Sequence, residues 1–204
     1  MTFITMMQTV AKNAGVEVPT SIAATDPDHI LLGQFINEAG QELARRIDWG
    51  VLRKTATLTG TGALVAHTLP DDFDRFSIGL SVVAGVQPVR GSITSDEWMS
   101  LPPVEGTPRY YYLAGRSISF YPFLRTGGTA RVQYQSKNWA ATGATPSARL
   151  TQQTDTTVLP EPVLETGAIW RWRRHIGKDF ADHLAEFEAQ LVDFARADSG
   201  VRLP

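Results

Sequence analysis

The hydrophobic period of this chain changes twice, and those two changes constrain its fold more than any other feature. Over residues 2–14 apolar side chains recur at helical spacing, with Phe3, Met6, Met7, Val10 and Ala11 on one face. From Leu52 to Ser136 the apolar residues alternate with polar ones, the period of a strand. After Pro160 and Pro162 the helical spacing returns. Helices at the two ends of one chain bury their apolar stripes best against each other. The pattern therefore predicts an α+β fold, a helical bundle built from N- and C-terminal helices with an inserted antiparallel β domain. Residues 1–50 supply the N-terminal helices and 51–137 the β domain. Residues 138–160 read as an extended loop or arm, and 161–204 as the C-terminal helices that complete the bundle, with a short tail.

Local signals sharpen this division. Thr2 is placed to cap the first helix and Gly15 to end it. Asp26, Pro27 and Asp28 form a helix start, and Leu31, Phe35, Ile36, Ala39, Leu43 and Ile47 then make one stripe. Arg45 and Arg46 fall in its last turns, where cations are favoured. "LRKTATLT" and "ALVAHTLP" alternate on either side of a "GTG" turn. "RYYYLAGRSISFYPF" reads as a hairpin around Ala114-Gly115-Arg116, and "TARVQYQS" as the closing strand. In "SITSDEWMSLPP" Ser95 is placed to cap one or two helical turns that Pro102 and Pro103 stop. Residues 138–160 are rich in Thr, Ala, Gln, Ser and Pro and have no period. Near the C-terminus Phe180, Leu184, Phe187, Leu191 and Phe194 follow spacings of 4, 3, 4 and 3, a heptad-like seam opposite Asp182, Glu186, Glu188 and Asp193.

Composition and motifs exclude much chemistry. The 204 residues contain no cysteine, which removes disulfides, thiolate zinc sites and cysteine nucleophiles. A net charge of −2 gives none of the basic surplus of a dedicated nucleic-acid binder. "MTFITMMQTVAKNAGVEVP" lacks the cationic region of a secretory signal, and no apolar run approaches the ~20 residues of a membrane span. The expectation is a soluble chain, made in a reducing compartment or indifferent to redox, with no membrane partner. His29, His67, His175 and His183 include no pair at the spacing of a helical zinc site. In "LPDDFDRF" Asp72 and Asp74 have ligand spacing but Phe76 breaks a calcium loop, so a turn is expected. Val65 stands where a dinucleotide fingerprint begun by Gly60 and Gly62 needs its third glycine, and "RTGGTA" lacks a phosphate-loop lysine. Asp96 and Glu97 are adjacent and diverge on a helix. No catalytic residue, cofactor or metal ligand is assigned and no enzyme is expected. A hydrolase using the carboxylates at 71–74 or 96–97 is the one catalytic alternative.

"AIWRWRRHIGKDF" at 168–180 is the densest mixture of aromatic and cationic side chains. On a helix Ile169, Trp172 and Ile176 face inward, while Arg171, Arg174 and Lys178 project outward. Trp170 and Arg173 are three apart and can stack. Trp and Arg dominate protein interfaces, so a protein partner is expected here before a nucleic acid. A second reading takes the β domain as a ligand- or carbohydrate-binding module using Tyr110, Tyr111, Tyr112 and Tyr121, of which alternation puts Tyr110 and Tyr112 on one face.

The order of landmarks resembles the head-to-tail adaptor (head completion) proteins of short-tailed phages, of the tail-tubular-protein-A type. The matching stretches run from "DPDHILLGQFINEAGQELARRIDW" through "LPDDFDR", "EWMSLPP", "PRYYYLAGRSISFYP" and "VQYQSKNWA" to "LPEPVLETGAIWRWRRHIG". The resemblance covers nearly the whole chain. It implies a structural virion protein made in the host bacterial cytoplasm, forming a homo-oligomeric ring, typically a dodecamer, beneath the portal at the head–tail junction. Such a ring extends the DNA channel, lets double-stranded DNA pass without sequence-specific binding, and carries tail nozzle or fibre proteins. Carried onto this chain, the ring contacts are Trp170, Trp172, Arg173 and Phe187, with Arg171 and Arg174 beside them. The portal-contacting tail is Val201, Arg202, Leu203 and Pro204.

Overall fold

The computed structural model describes residues 1–23, 26–79 and 81–198. In chain order come α1 (Phe3–Ala14), α2 (Pro27–Arg46), β1 (Arg53–Thr59), β2 (His67–Thr68), β3 (Phe73–Phe76), β4 (Val82–Ala84), β5 (Gln87–Pro88) and β6 (Arg90–Gly91). They are followed by α3 (Ser95–Ser100), β7 (Glu105–Gly106), β8 (Tyr110–Ala114), β9 (Ser117–Tyr121), β10 (Phe123–Leu124) and β11 (Thr129–Ser136). The chain ends in β12 (Ala140–Thr142), β13 (Thr145–Ser147), β14 (Thr156–Thr157), α4 (Glu161–His175) and α5 (Ala181–Asp198). This is an α+β fold. The chain divides into one unit made of its two ends, Met1–Leu52 with Lys137–Pro204, and a second unit, Arg53–Ser136.

In the first unit the helix ends follow their sequence signals. Asp26 accepts a hydrogen bond from the Asp28 amide at 2.8 Å, with Pro27 in the first turn, and Gly15 takes the left-handed conformation that closes α1. Thr2 does not cap α1 with its side chain, which instead bonds Thr5. Phe3, Met6, Met7 and Val10 of α1, Leu32, Ile36 and Leu43 of α2, Val163, Leu164, Ala168 and Trp172 of α4, and Phe187 and Leu191 of α5 form one core. Small residues let these elements approach. A Cβ at Gly40 would lie 2.3 Å from the Trp139 ring, and one at Gly167 would lie 2.9 Å from Ala39.

Residues 138–160 are not an extended arm. They form a three-stranded antiparallel sheet, ordered β13-β12-β14, that belongs to the helical unit. Trp139, Ala140, Leu150 and Leu159 all enter its core. Asn37 brackets Leu150, donating to its carbonyl at 3.1 Å and accepting from its amide at 2.8 Å. Asp155 accepts from the amides of Thr151 and Gln152 at 2.6 and 2.8 Å. Burial pushes its carboxyl upward, but these amide donors together with the Thr142 and Thr151 hydroxyls outweigh that, and the net shift is down.

In the second unit one sheet has the order β1-β11-β4-β5, with β3 also on β11, and another has the order β2-β9-β8-β6. Val82, Ala84, Ala130 and Val132 of the first share a core with Tyr111, Ile118 and Phe120 of the second. The hairpin around Gly115 is β8–β9, with Ala114 opposite Ser117. The unit is not purely antiparallel: β6 runs parallel to β8, and β7 to β10. Thr94, not Ser95, caps α3, in a capping box with Glu97. The strand expected at 63–70 is reduced to His67–Thr68.

Asp72 ties this unit together. It accepts hydrogen bonds from Lys54 Nζ at 2.6 Å, the Tyr134 hydroxyl at 2.8 Å and Ser136 Oγ at 2.9 Å. Burial raises its pKa, but the bonds from Lys54, Tyr134 and Ser136 prevail and hold it below the ordinary aspartate value. A carboxyl depressed in the folded state stabilises above its unfolded pKa and loses that contribution as pH falls through the folded one. Thermal unfolding followed from pH 7 down past about pH 4 should show the wild type losing stability as Asp72 protonates. Asp72→Asn should start less stable at pH 7, and the gap should narrow with acid. A gap independent of pH contradicts this assignment.

Candidate assembly interface

Helix α4 carries the aromatic and cationic cluster, and its inward stripe of Val163, Leu164, Gly167, Ala168 and Trp172 seats it on the rest of the helical unit. Arg171 lies at the margin of that stripe and turns inward, contrary to the outward position expected for it. Only 10% of its side chain is exposed. Its guanidinium bonds Glu42 of α2 and the Gly167 carbonyl at 2.7 Å, with Glu38 at 3.8 Å. It also lies over the Trp170 ring, 4.3 Å from the centroid. Burial pulls the Arg171 pKa down, and the carboxylates of Glu42 and Glu38 oppose that. The group stays charged, so it needs a partner within the fold.

Glu42 serves a second cation. It accepts from Arg46 Nη1 at 3.0 Å, and Arg46 reaches Glu188 of α5 through two bonds of 2.6 Å. The hydrogen bond to Arg46 holds Glu188 below the usual glutamate range. Arg171, Glu42, Arg46 and Glu188 thus form a chain of charge across α4, α2 and α5. Its outer pair is solvent-exposed and weakly stabilising. Its inner pair is more buried, so removing Glu42 leaves the Arg171 guanidinium with only the Gly167 carbonyl and the more distant Glu38.

The six residues predicted for ring contact separate by burial. Trp172 and Phe187 are 4% and 0% exposed and belong to the core of the protomer. Neither presents a surface to a second copy, which corrects their assignment: both are enclosed by the protomer's own helices. Trp170 is half-buried, 6.3 Å from the Phe180 ring and 6.4 Å from that of Phe187. Its cation is Arg171, not Arg173. Arg173 donates to the Asp179 carbonyl at 2.7 Å, across the turn at Gly177 that ends α4. Arg174, His175 and Lys178 are exposed. A hollow of about 290 Å³ opens here, lined by Phe35, Glu38, Trp170, Arg171, Arg174 and His175. The contribution of α2 to it escaped the sequence reading, although Glu38, Glu42 and Arg46 at four-residue spacing signal a charged stripe. The tail residues Val201, Arg202, Leu203 and Pro204 lie outside the described residues.

A second aromatic cluster lies on β8–β9, with Tyr110 exposed and Tyr112, Tyr121 and Trp98 half-buried. Tyr110 stands opposite Tyr121, and Tyr112 opposite Ser119, on the outward face, while Tyr111 points into the core. Trp98 of α3 stacks on Tyr112 with centroids 5.5 Å apart and planes 16° from parallel. The carboxylates weighed for catalysis have structural partners: Asp71 pairs with Arg116, Asp72 with Lys54, and Glu97 closes its capping box. Among the described residues, no three histidine or carboxylate side chains converge as metal ligands would. No helix among them is long and apolar enough to cross a membrane.

The chain belongs to the SU10 adaptor protein family, a phage head-to-tail adaptor family whose model matches residues 1–204. No curated protein sequence matches it. The family gives the chain a structural role in a phage virion, at the head–tail junction, and implies contact with portal and tail proteins and oligomerisation. Such adaptors are generally not enzymes.

Glu42→Ala removes the direct carboxylate partner of Arg171, leaving it the Gly167 carbonyl and the more distant Glu38, and should cost about 1–3 kcal/mol in chemical denaturation followed by tryptophan fluorescence. Arg174→Ala, on the exposed side of the same helix, should stay within about 0.5 kcal/mol of wild type. Equal losses in the two variants contradict the assignment of Glu42 as the internal partner.

Proposed function

We propose that this protein forms a closed ring, a dodecamer, that joins the portal to the tail of a short-tailed phage and extends the DNA channel. The match of an adaptor family over the whole chain carries this reading. The surface agrees with it. The exposed end of α4 and the turn that follows it are cationic, at Arg174 and Lys178, and the outer face of α5 is acidic, at Asp182, Glu186 and Asp193. Two different charged surfaces on one protomer suit a head-to-tail contact that repeats around a ring. Of the predicted contacts, Trp170, Arg173 and Arg174 have surface to offer, with Arg171 holding Trp170 in place. Val201, Arg202, Leu203 and Pro204 are assigned to the portal, and the ring carries tail nozzle or fibre proteins. A near-neutral chain suits a channel wall past which DNA slides, since a strongly basic one would hold phosphates. The protein is made in the host bacterial cytoplasm, and no enzymatic step is assigned to it.

Native mass spectrometry of the protein mixed with the portal ring of the same genome tests this reading. The expected result is a discrete complex with one copy per portal subunit, weakened by Arg174→Glu. Two folded proteins that form no complex would overturn it.

The stacked Trp98–Tyr112 pair and the exposed Tyr110 favour one alternative, a module that binds a bacterial surface polysaccharide through aromatic faces. Under that reading the wild type binds the polysaccharide in a glycan-array assay and the Trp98→Ala, Tyr110→Ala double variant does not. Equal binding by both proteins removes this alternative.

A further inference from the structure

The sheet that carries β1 has two dissimilar edges. At one end β5 has only two residues, and one of them is Pro88, which has no amide hydrogen to donate. At the other end β1 is paired with β11 through an unbroken register from Arg53↔Gln135 to Thr59↔Thr129. Among the described residues no strand pairs with its outer edge. Folded proteins protect such an edge with proline, a bulge or charge. From Thr55 to Thr59 β1 has none of these; its cations, Arg53 and Lys54, stand at one end, and Lys54 is bound to Asp72. On one side of the strand Ala56 and Leu58 are only half-buried, and Leu58 packs against the core of the unit.

A strand without a partner lies in the same unit. "ALVAHTLP" alternates like a strand, yet only His67 and Thr68 pair, with Ile118 and Ser117. Ala63, Leu64, Val65 and Ala66 are all exposed, Leu64 by 46% and Val65 by 37%, and among the described residues they make no backbone hydrogen bond. The segment is held at both ends. Before it, the Gly60 amide donates to the Gly128 carbonyl at 2.7 Å and the Gly62 amide to the Leu124 carbonyl at 3.3 Å. After it, β2 is fixed on β9. An apolar segment that favours strand geometry is thus displayed without the ladder it needs, in a chain that also displays an unprotected edge.

We propose that in the assembled ring Ala63–Ala66 of one copy adds as a strand to the free edge of β1 of its neighbour. Main-chain hydrogen bonds supply the contact. Alternation sets one apolar side chain of the segment beside Leu58 and Ala56, extending that core, and the next beside the threonine face of Thr55, Thr57 and Thr59. Each copy gives one segment and accepts one, so the contact is heterologous and propagates around a ring. This inference rests on the ring reading above but uses a different surface from α4.

The absence of native cysteine allows a direct test. Cysteines placed singly at Thr55, Thr57 or Thr59 are mixed with proteins carrying Leu64→Cys or Val65→Cys, assembled on the portal ring and oxidised. Paired strands bring Cα atoms to about 4.5–5.5 Å, within disulfide reach. At least one mixture should give a disulfide-linked dimer of the two variants that neither gives alone. A Leu64→Asp, Val65→Asp variant, altered only at exposed positions, should keep the wild-type melting temperature and lose ring formation. Full rings from that variant, with no dimer in any mixture, would overturn the strand contact and leave the ring reading standing. A wild-type protein that forms no ring on the portal would overturn both.

Discussion

The helical unit depends on how one buried cation is answered. Arg171 comes from the most polar stretch of α4, yet its guanidinium lies among α2 and α4 with little access to water. A charge so placed is tolerated only with a carboxylate and further acceptors at hand. Glu42, Glu38 and the Gly167 carbonyl provide them, and the Trp170 ring covers one side. Because Glu42 also holds Arg46, and Arg46 holds Glu188, the same interaction registers α2 against α4 and α5. The aromatic core beneath fits only in that register, since Gly40 and Gly167 admit Trp139 and Ala39 at distances that no side chain would allow. The exposed end of α4, where Arg174 and His175 border the hollow beside Trp170, is positioned by this internal bonding.

Much of this architecture is legible in the sequence because the signals are local. Asp26 and Pro27 start α2, Gly15 ends α1, and Gly115 turns β8 into β9, each through backbone geometry set by one or two residues. Residues 138–160 were opaque for the opposite reason. Their core residues, Trp139, Leu150 and Leu159, are too far apart to make a period, and their order comes from distant partners such as Asn37. Parallel pairing of β6 with β8 is equally non-local. The cationic helix is legible in outline but not in which way its side chains turn. Periodicity places Arg171 outward because it is charged, and only the acidic stripe of α2 explains why it turns in. Periodicity likewise marks Trp172 and Phe187 as apolar without telling a protomer core from a contact between copies.

Membership of a phage adaptor family gives these features a common purpose. A structural junction protein must be rigid within each copy and adhesive between copies. Internal rigidity comes from the Leu150 backbone bracketed by Asn37, the charge chain through Glu42 and the hydrogen bonds collected by Asp72. Under the ring reading proposed above, adhesion falls to what the protomer leaves uncovered, namely the end of α4, the acidic face of α5, the edge of β1 and the strand-like segment 63–66. The charged surfaces favour encounter and orientation, and main-chain pairing favours a contact that persists.

The most direct measurement is a cryo-electron microscopy reconstruction of the virion vertex, at a resolution that follows the main chain. The account predicts a closed ring of this chain directly beneath the portal, with Arg174 of each copy at the boundary with the next. A junction built without this protein, or one in which its copies stand apart with the end of α4 facing solvent, would contradict it.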